Sequence, residues 1–260
     1  MVAITGASSG IGQATALAFA KQGARLELCA RRLDKLEAVA EQCREAGSPE
    51  VKVRAVDVGQ RAQARAFIAA AIRDYERLDI LVNNAGIGWS GRLHQMPEEK
   101  IDELMATNLK GVINTTQAAL PWMLERHRGV IINVASSAGF RPAPYQALYG
   151  ATKHAVVGLS HALRGELAAT GVKVCVVYPH VTSGTEFFEH GGRAVGPQYP
   201  AWWVANLIVR TARYPRRDAM VFPVRLVDLA EPVFGGLMDM VLGAMRRRRS
   251  PEPRDIQPSE

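Results

Sequence analysis

Short runs of aliphatic and β-branched residues alternate with longer stretches whose apolar positions recur at helical spacing, and the rhythm holds to about position 180. Apolar runs at 2–5, 25–30, 51–56, 80–82, 129–134 and 172–177 predict strands. Helical spacing covers 12–22, 33–46 (closed by Gly47), 61–75, 97–109, 111–126 and 148–169. Strands separated by helices at this rhythm predict an α/β domain with one doubly wound parallel sheet and helices on both faces. Beyond Pro179 the pattern changes. Residues 181–200 have no sustained period and predict a long functional loop, 201–214 a helix, and 219–222 a last strand. Residues 225–245 are apolar at near-helical spacing, broken by Pro232 and by Gly235-Gly236. One domain over 1–249 is expected, with 225–249 as a C-terminal helical extension and the proline-rich 250–260 as a disordered tail.

Composition narrows the class. With 260 residues, 48% hydrophobic and 22% charged, the chain excludes a disordered or fibrous protein. Cys29, Cys43 and Cys175 are widely separated, so they form neither a disulfide framework nor a zinc pattern; no metal is expected, and a reducing cytoplasm fits them. The first residues lack a basic segment ahead of an apolar one, and no uncharged apolar window of spanning length follows, so neither a secretory signal nor a transmembrane helix is expected. Net charge is +7, yet residues 246–249 alone are four arginines. No aromatic residues interleave them, which argues against a nucleic-acid partner. An apolar stripe ending in this basic cluster suits peripheral contact with an anionic membrane, or packing over a pocket or neighbouring subunit. Packing is preferred, because Asp228, Glu231 and Asp239 dilute the basic face.

Candidate chemistry begins at Thr5-Gly6-Ala7-Ser8-Ser9-Gly10-Ile11-Gly12, between the first strand and the first helix. Glycines there let the backbone approach a pyrophosphate, and the helix start favours an anion. The spacing is G-x-x-x-G-x-G, not G-x-G-x-x-G. Residues 6–10 also satisfy G-x-S-x-G, the nucleophile elbow of serine hydrolases, but only five residues precede Gly6 and none supplies an oxyanion loop. The second strand ends Ala30-Arg31-Arg32, where an acid would bind the ribose 2′-hydroxyl of NAD; arginine instead suits a 2′-phosphate, with Arg31 expected to contribute more than Arg32. Asp57 either accepts from an adenine amino group or caps the following helix.

Tyr149 and Lys153 lie four apart on a helical pattern and share a face. Exchange of a hydride between a carbonyl and an alcohol needs a group that moves a proton near neutrality. Free tyrosine titrates about three pH units too high, a gap of ~4 kcal/mol, which a lysine charge at ~4 Å offsets at an effective dielectric near 20. Ser136 and Ser137 end the fifth strand and face the crevice where ligands bind in such sheets. Asn108 sits between two helical stretches, where an amide can mend a helix break.

Taken in order, Thr5-Gly-x-x-x-Gly-Ile-Gly12, Asn83-Asn84-Ala85-Gly86, Asn108, Ser136 and Tyr149-x-x-x-Lys153 resemble the short-chain dehydrogenase/reductase family over about residues 1–185. The resemblance implies a Rossmann fold and a tetrad in which Tyr149 is general acid/base. Lys153 would bind the nicotinamide ribose and lower the tyrosine pKa. Ser136, counted back from Gly139, would orient the carbonyl, and Asn108 would hold a water in a proton relay. It further implies cofactor contacts at Gly6, Ser8, Ser9, Gly10, Ile11, Gly12, Arg31, Arg32, Asp57, Val58, Asn84, Ala85, Gly86 and Thr182, besides Tyr149 and Lys153. NADP(H) is expected in preference to NAD(H), with a small carbonyl or alcohol as substrate bound at Ser136 and Tyr149. Trp89, Phe140, Tyr145, Phe187 and Phe188 suggest that this substrate is apolar. A homodimer or homotetramer through the helices at 111–126 and 148–169 is implied. Alternatives are an NAD-preferring enzyme and a non-catalytic nucleotide-binding protein. The chain departs from the family at Pro179-His180, where a glycine is usual, and at Gly184, where a threonine is usual.

Overall fold

Strand and helix alternate as the hydrophobic pattern predicts, in a computed structural model that describes residues 1–183, 198–220 and 240. The order is β1 (Val2–Thr5), α1 (Gly10–Ala20), β2 (Leu26–Ala30), α2 (Leu33–Glu45), β3 (Val51–Ala55), α3 (Arg61–Tyr75) and β4 (Ile80–Asn83). Then follow α4 (Glu98–Met105), α5 (Gly111–Glu125), β5 (Gly129–Val134), α6 (Ala147–Glu166), β6 (Val172–Tyr178), β7 (Thr182–Ser183), β8 (Tyr199–Pro200), α7 (Ala201–Arg213) and β9 (Asp218–Met220). Phe187, Phe188, Gly184, most of the expected loop at 181–200, the extension at 225–249 apart from Met240, and the tail lie outside the described residues. Among the described residues no helix is long and apolar enough to cross a membrane.

Seven strands pair in parallel in the order β3-β2-β1-β4-β5-β6-β9. The order reverses between β1 and β4, so a crevice opens above their carboxyl ends. The pleat sorts β1: Val2 and Ile4 join a core with α1, α2 and α7, while Ala3 faces the opposite core with α3, α5 and α6. Both faces are covered, which is why the strands read as continuous apolar runs.

Several boundaries differ from the expected ones. The first helix runs Gly10–Ala20 rather than 12–22: extended Ser9 precedes Gly10, and Gly23, at φ +68°, closes the far end by donating to the Ala20 carbonyl. The two helices expected at 97–109 and 111–126 are joined through a π turn, Ala106–Lys110. The helix expected to reach 169 ends at Glu166, because Ala169 adopts a left-handed conformation, φ +63°. The last strand begins at Asp218, one residue before the expected start.

Candidate active site

Above the β1–β4 crevice two turns are tied together by Thr5. Its hydroxyl accepts from the amides of Asn84 and Ala85, each at 3.0 Å, and the Asn84 side-chain amide donates to the carbonyls of Thr5 (3.0 Å) and Gly6 (3.1 Å). Gly6 and Gly10 have φ +65° and +56°, conformations that favour glycine. At Gly12 a Cβ would land on the Gly6 carbonyl oxygen. The first turn of α1 carries no acidic residue, so the positive end of the helix faces this turn uncompensated.

Asn108 stands in the π turn between α4 and α5, fully buried. The wider turn directs its amide inward, where Oδ1 accepts from the Ile87 amide at 2.8 Å and Nδ2 donates to the Ile87 carbonyl at 3.0 Å and to Thr152 Oγ1 at 3.2 Å. The amide therefore fixes the loop after β4 against α6, and none of these partners is helix backbone beside Asn108, so the expected mending of the helix break is not what it does.

Ser136 follows β5, and its hydroxyl accepts from the Ala138 amide at 3.1 Å and is hydrogen-bonded to the Tyr149 phenol. Lys153, buried like Tyr149, donates to the Val134 carbonyl at 3.0 Å, with Nζ 5.8 Å from the Tyr149 ring centre. The group converges on Gly86: a Cβ there would meet Asn108 Oδ1 and Lys153 Nζ, both at 3.4 Å. The expected lowering of the tyrosine pKa is not seen. Burial pushes the Tyr149 phenol up to about 12, against a smaller opposing effect of the Ser136 hydrogen bond, and burial pushes Lys153 down to about 8. Bringing the phenol to neutrality takes roughly 7 kcal/mol, more than twice what a charge ~6 Å away supplies at an effective dielectric near 20.

A family model for short chain dehydrogenases matches residues 1–194. The chain belongs to that family. It is an oxidoreductase. An uncharacterized oxidoreductase of Staphylococcus epidermidis is 38% identical over 191 residues, 72% of this chain and 81% of that protein. A short-chain dehydrogenase from Sphingobium yanoikuyae, solved in complex with NADPH, is 30% identical with a TM-score of 0.79, covering 91% of this chain and 94% of its own. A short chain dehydrogenase/reductase from Burkholderia phymatum, solved in complex with NAD, gives 26%, 0.81, 91% and 94%.

The remaining sequence-derived positions of this short-chain dehydrogenase separate into those at the crevice and those tied to their own backbone. Arg32 Nη2 reaches the hydroxyls of Ser8 (3.4 Å) and Ser9 (3.3 Å) in the glycine turn, whereas Arg31 Nη1 donates to Glu103 Oε1 on α4 at 2.9 Å. Ile11 packs against the core from the first turn of α1. Asp57 caps its own turn, accepting from the Gly59 amide at 2.9 Å, and Gln60 takes the N-cap position of α3. Val58 is buried against Gly111, and Asn114 Nδ2 donates to its carbonyl at 3.0 Å. The Thr182 hydroxyl donates to the His180 carbonyl at 2.8 Å. At the family's usual glycine position, His180 Nδ1 lies 3.2 Å from Ser137 Oγ, and burial lowers the imidazole pKa.

Sequence reasoning missed the polar chain beneath the site. Thr115 Oγ1 on α5 donates to Asn83 Oδ1 at 2.6 Å, Asn83 Nδ2 to Asn133 Oδ1 at 2.9 Å, and Asn133 Nδ2 to Ser160 Oγ on α6 at 2.9 Å, all buried. A polar residue inside each otherwise apolar run of β4 and β5 was the available signal. Glu103 was missed as well, and so was the bonding role of Thr5, which stood in the sequence only as the first residue of the glycine motif; nothing local marks their partners.

Proposed function

We propose that this enzyme transfers a hydride between NADP(H) and an apolar carbonyl or alcohol substrate. The carrying observation is the convergence of Asn108 and Lys153 on the uncovered face of Gly86, beside the Ser136–Tyr149 hydrogen bond. That cradle, the open turn at Gly6–Gly12 and the positive end of α1 fit a dinucleotide: the diphosphate at α1 and the nicotinamide ribose at Gly86, Lys153 and Tyr149. Ser8, Ser9, Gly10 and Ile11 would border the diphosphate, Asp57 and Val58 the adenine, and Asn84 and Ala85 the middle of the cofactor. When bound, the nicotinamide gives or receives the hydride.

The chain's own residues manage the oxygen and its proton. Ser136 holds the substrate oxygen by hydrogen bond. Tyr149, protonated at neutral pH as any phenol is and held so more firmly by burial, donates to a carbonyl oxygen as it becomes an alcohol, the form suited to reduction. Lys153 anchors the ribose and brings positive charge towards the phenol; Asn108 holds the loop at Ile87, and with it the Gly86 cradle, in place. Ile87, Trp89 and Leu148 pack against the apolar cluster that includes Tyr149, and Tyr199 and Trp203 form a second aromatic group at a ring separation of 5.1 Å, which supports an apolar substrate.

The arginines after β2 support NADP(H). Charge-assisted hydrogen bonds contribute about 1.5–3 kcal/mol, so calorimetry is expected to find NADPH bound roughly ten- to a hundredfold more tightly than NADH. Arg31→Ala and Arg32→Ala each narrow the gap. Arg32 already stands at the serines, so its loss is expected to cost at least as much as that of Arg31, reversing the order read from sequence. Equal affinities in the unmodified enzyme overturn the coenzyme assignment, and a carbonyl panel with NADPH then tests turnover.

A further inference from the structure

Arg31 and Arg32 leave β2 side by side yet take opposite partners. Arg32 turns to Ser8 and Ser9, while Arg31 crosses to α4 and donates to Glu103 Oε1 at 2.9 Å. Glu103 is itself held from its own helix: Lys100 Nζ donates to Oε2 at 2.8 Å, in an i,i+3 pair. Lys100 and Arg31 together keep its carboxyl below the usual range, so it is ionised at working pH.

We propose that Glu103 tunes the discrimination between 2′-phosphorylated and plain nucleotides by competing with the 2′-phosphate for Arg31. This rests on the NADP(H) reading above. The Arg31 and Glu103 side chains are 55% and 30% exposed, and exposed pairs of this kind are weak. A phosphate dianion offers the planar guanidinium fork a stronger, two-pronged partner, so Arg31 changes hands when a 2′-phosphate arrives. A nucleotide with a free 2′-hydroxyl leaves the pair intact. Glu103 therefore weakens binding of the phosphorylated nucleotide selectively, through Arg31.

The test uses the full chain and two fragments, 2′,5′-ADP and 5′-AMP, with affinities measured by calorimetry. In Glu103→Gln the ratio of 2′,5′-ADP to 5′-AMP affinity should rise roughly two- to fivefold, and the gain should shrink at high salt. In the Arg31→Ala background the same substitution should leave the ratio unchanged. A ratio that stays level or falls in Glu103→Gln overturns the proposal, and so does a gain that persists without Arg31. The ratio in the unmodified enzyme tests the coenzyme reading separately: a value near one sinks that reading, while the change on Glu103→Gln still reports on Glu103.

Discussion

Burial acts on Lys153 and Tyr149 in opposite directions, and each shift has a measurable sign. Lys153 titrates at about 8 when folded against an ordinary 10.5, so between these values the unfolded chain binds more protons than the folded one. Stability therefore rises with pH through that window, by roughly 3 kcal/mol from this residue, and the contribution is absent below it. Urea unfolding of the unmodified enzyme and of Lys153→Met, compared between pH 8 and 10.5, should show the difference growing in favour of the unmodified enzyme; parallel curves would refute the assignment. Tyr149→Phe keeps the ring and removes the proton donor. It should lower kcat by several orders of magnitude while NADPH affinity changes little; near-normal turnover would remove Tyr149 from the chemistry. Spacing made their shared helix face legible, since they stand four positions apart; their roles came only with the resemblance that the other motifs complete. The sign of the tyrosine shift was not legible, because spacing gives the nearness of a charge and says nothing of how completely water is excluded.

Among the elements, the turn between β1 and α1 allows little variation. A Cβ at Gly12 would land on the Gly6 carbonyl and crowd the Asn84 amide, so Gly12→Ala must open the turn that Thr5 and Asn84 close. Nucleotide affinity should fall more than tenfold by calorimetry, with a stability loss of about 1–3 kcal/mol in urea; an unchanged affinity would contradict the placement of the diphosphate. The alternation of strands and helices was readable because a sheet buried on both faces writes itself as apolar runs. The join at 105–111 was not. Helical periodicity averages over a window, and one π turn inside a long helix shifts that average too little to register. Glu103 escaped for a similar reason: 72 positions separate it from Arg31, and only the packing of α4 near the end of β2 brings them together.

Across the molecule, α5 and α6 each carry exposed positions among the described residues. Ile113 is 39% exposed on α5, and a Cβ at Gly158 on α6 would meet none of the described residues within 4 Å. We expect self-association through these helices, as the family resemblance implies. Sedimentation should give a species larger than the 28.3 kDa chain. Gly158→Arg, whose Cβ meets none of the described residues, should shift it towards the monomer; an unmoved distribution would place the contact elsewhere.

The chain of hydrogen bonds from Thr115 through Asn83 and Asn133 to Ser160 runs crosswise beneath the crevice. Apolar side chains tolerate small sliding, because contact area changes little when a helix moves a fraction of an ångström along a sheet. Directional bonds do not, and a one-residue slip of β5 would turn Asn133 to the wrong face altogether. The chain therefore works as an alignment gauge. It fixes the longitudinal position of α5, continuous with the turn that carries Asn108, against that of α6, which carries Tyr149 and Lys153. The placement of Tyr149 and Lys153 against the loop that Asn108 holds is thus set from inside the sheet, by residues that never meet the substrate.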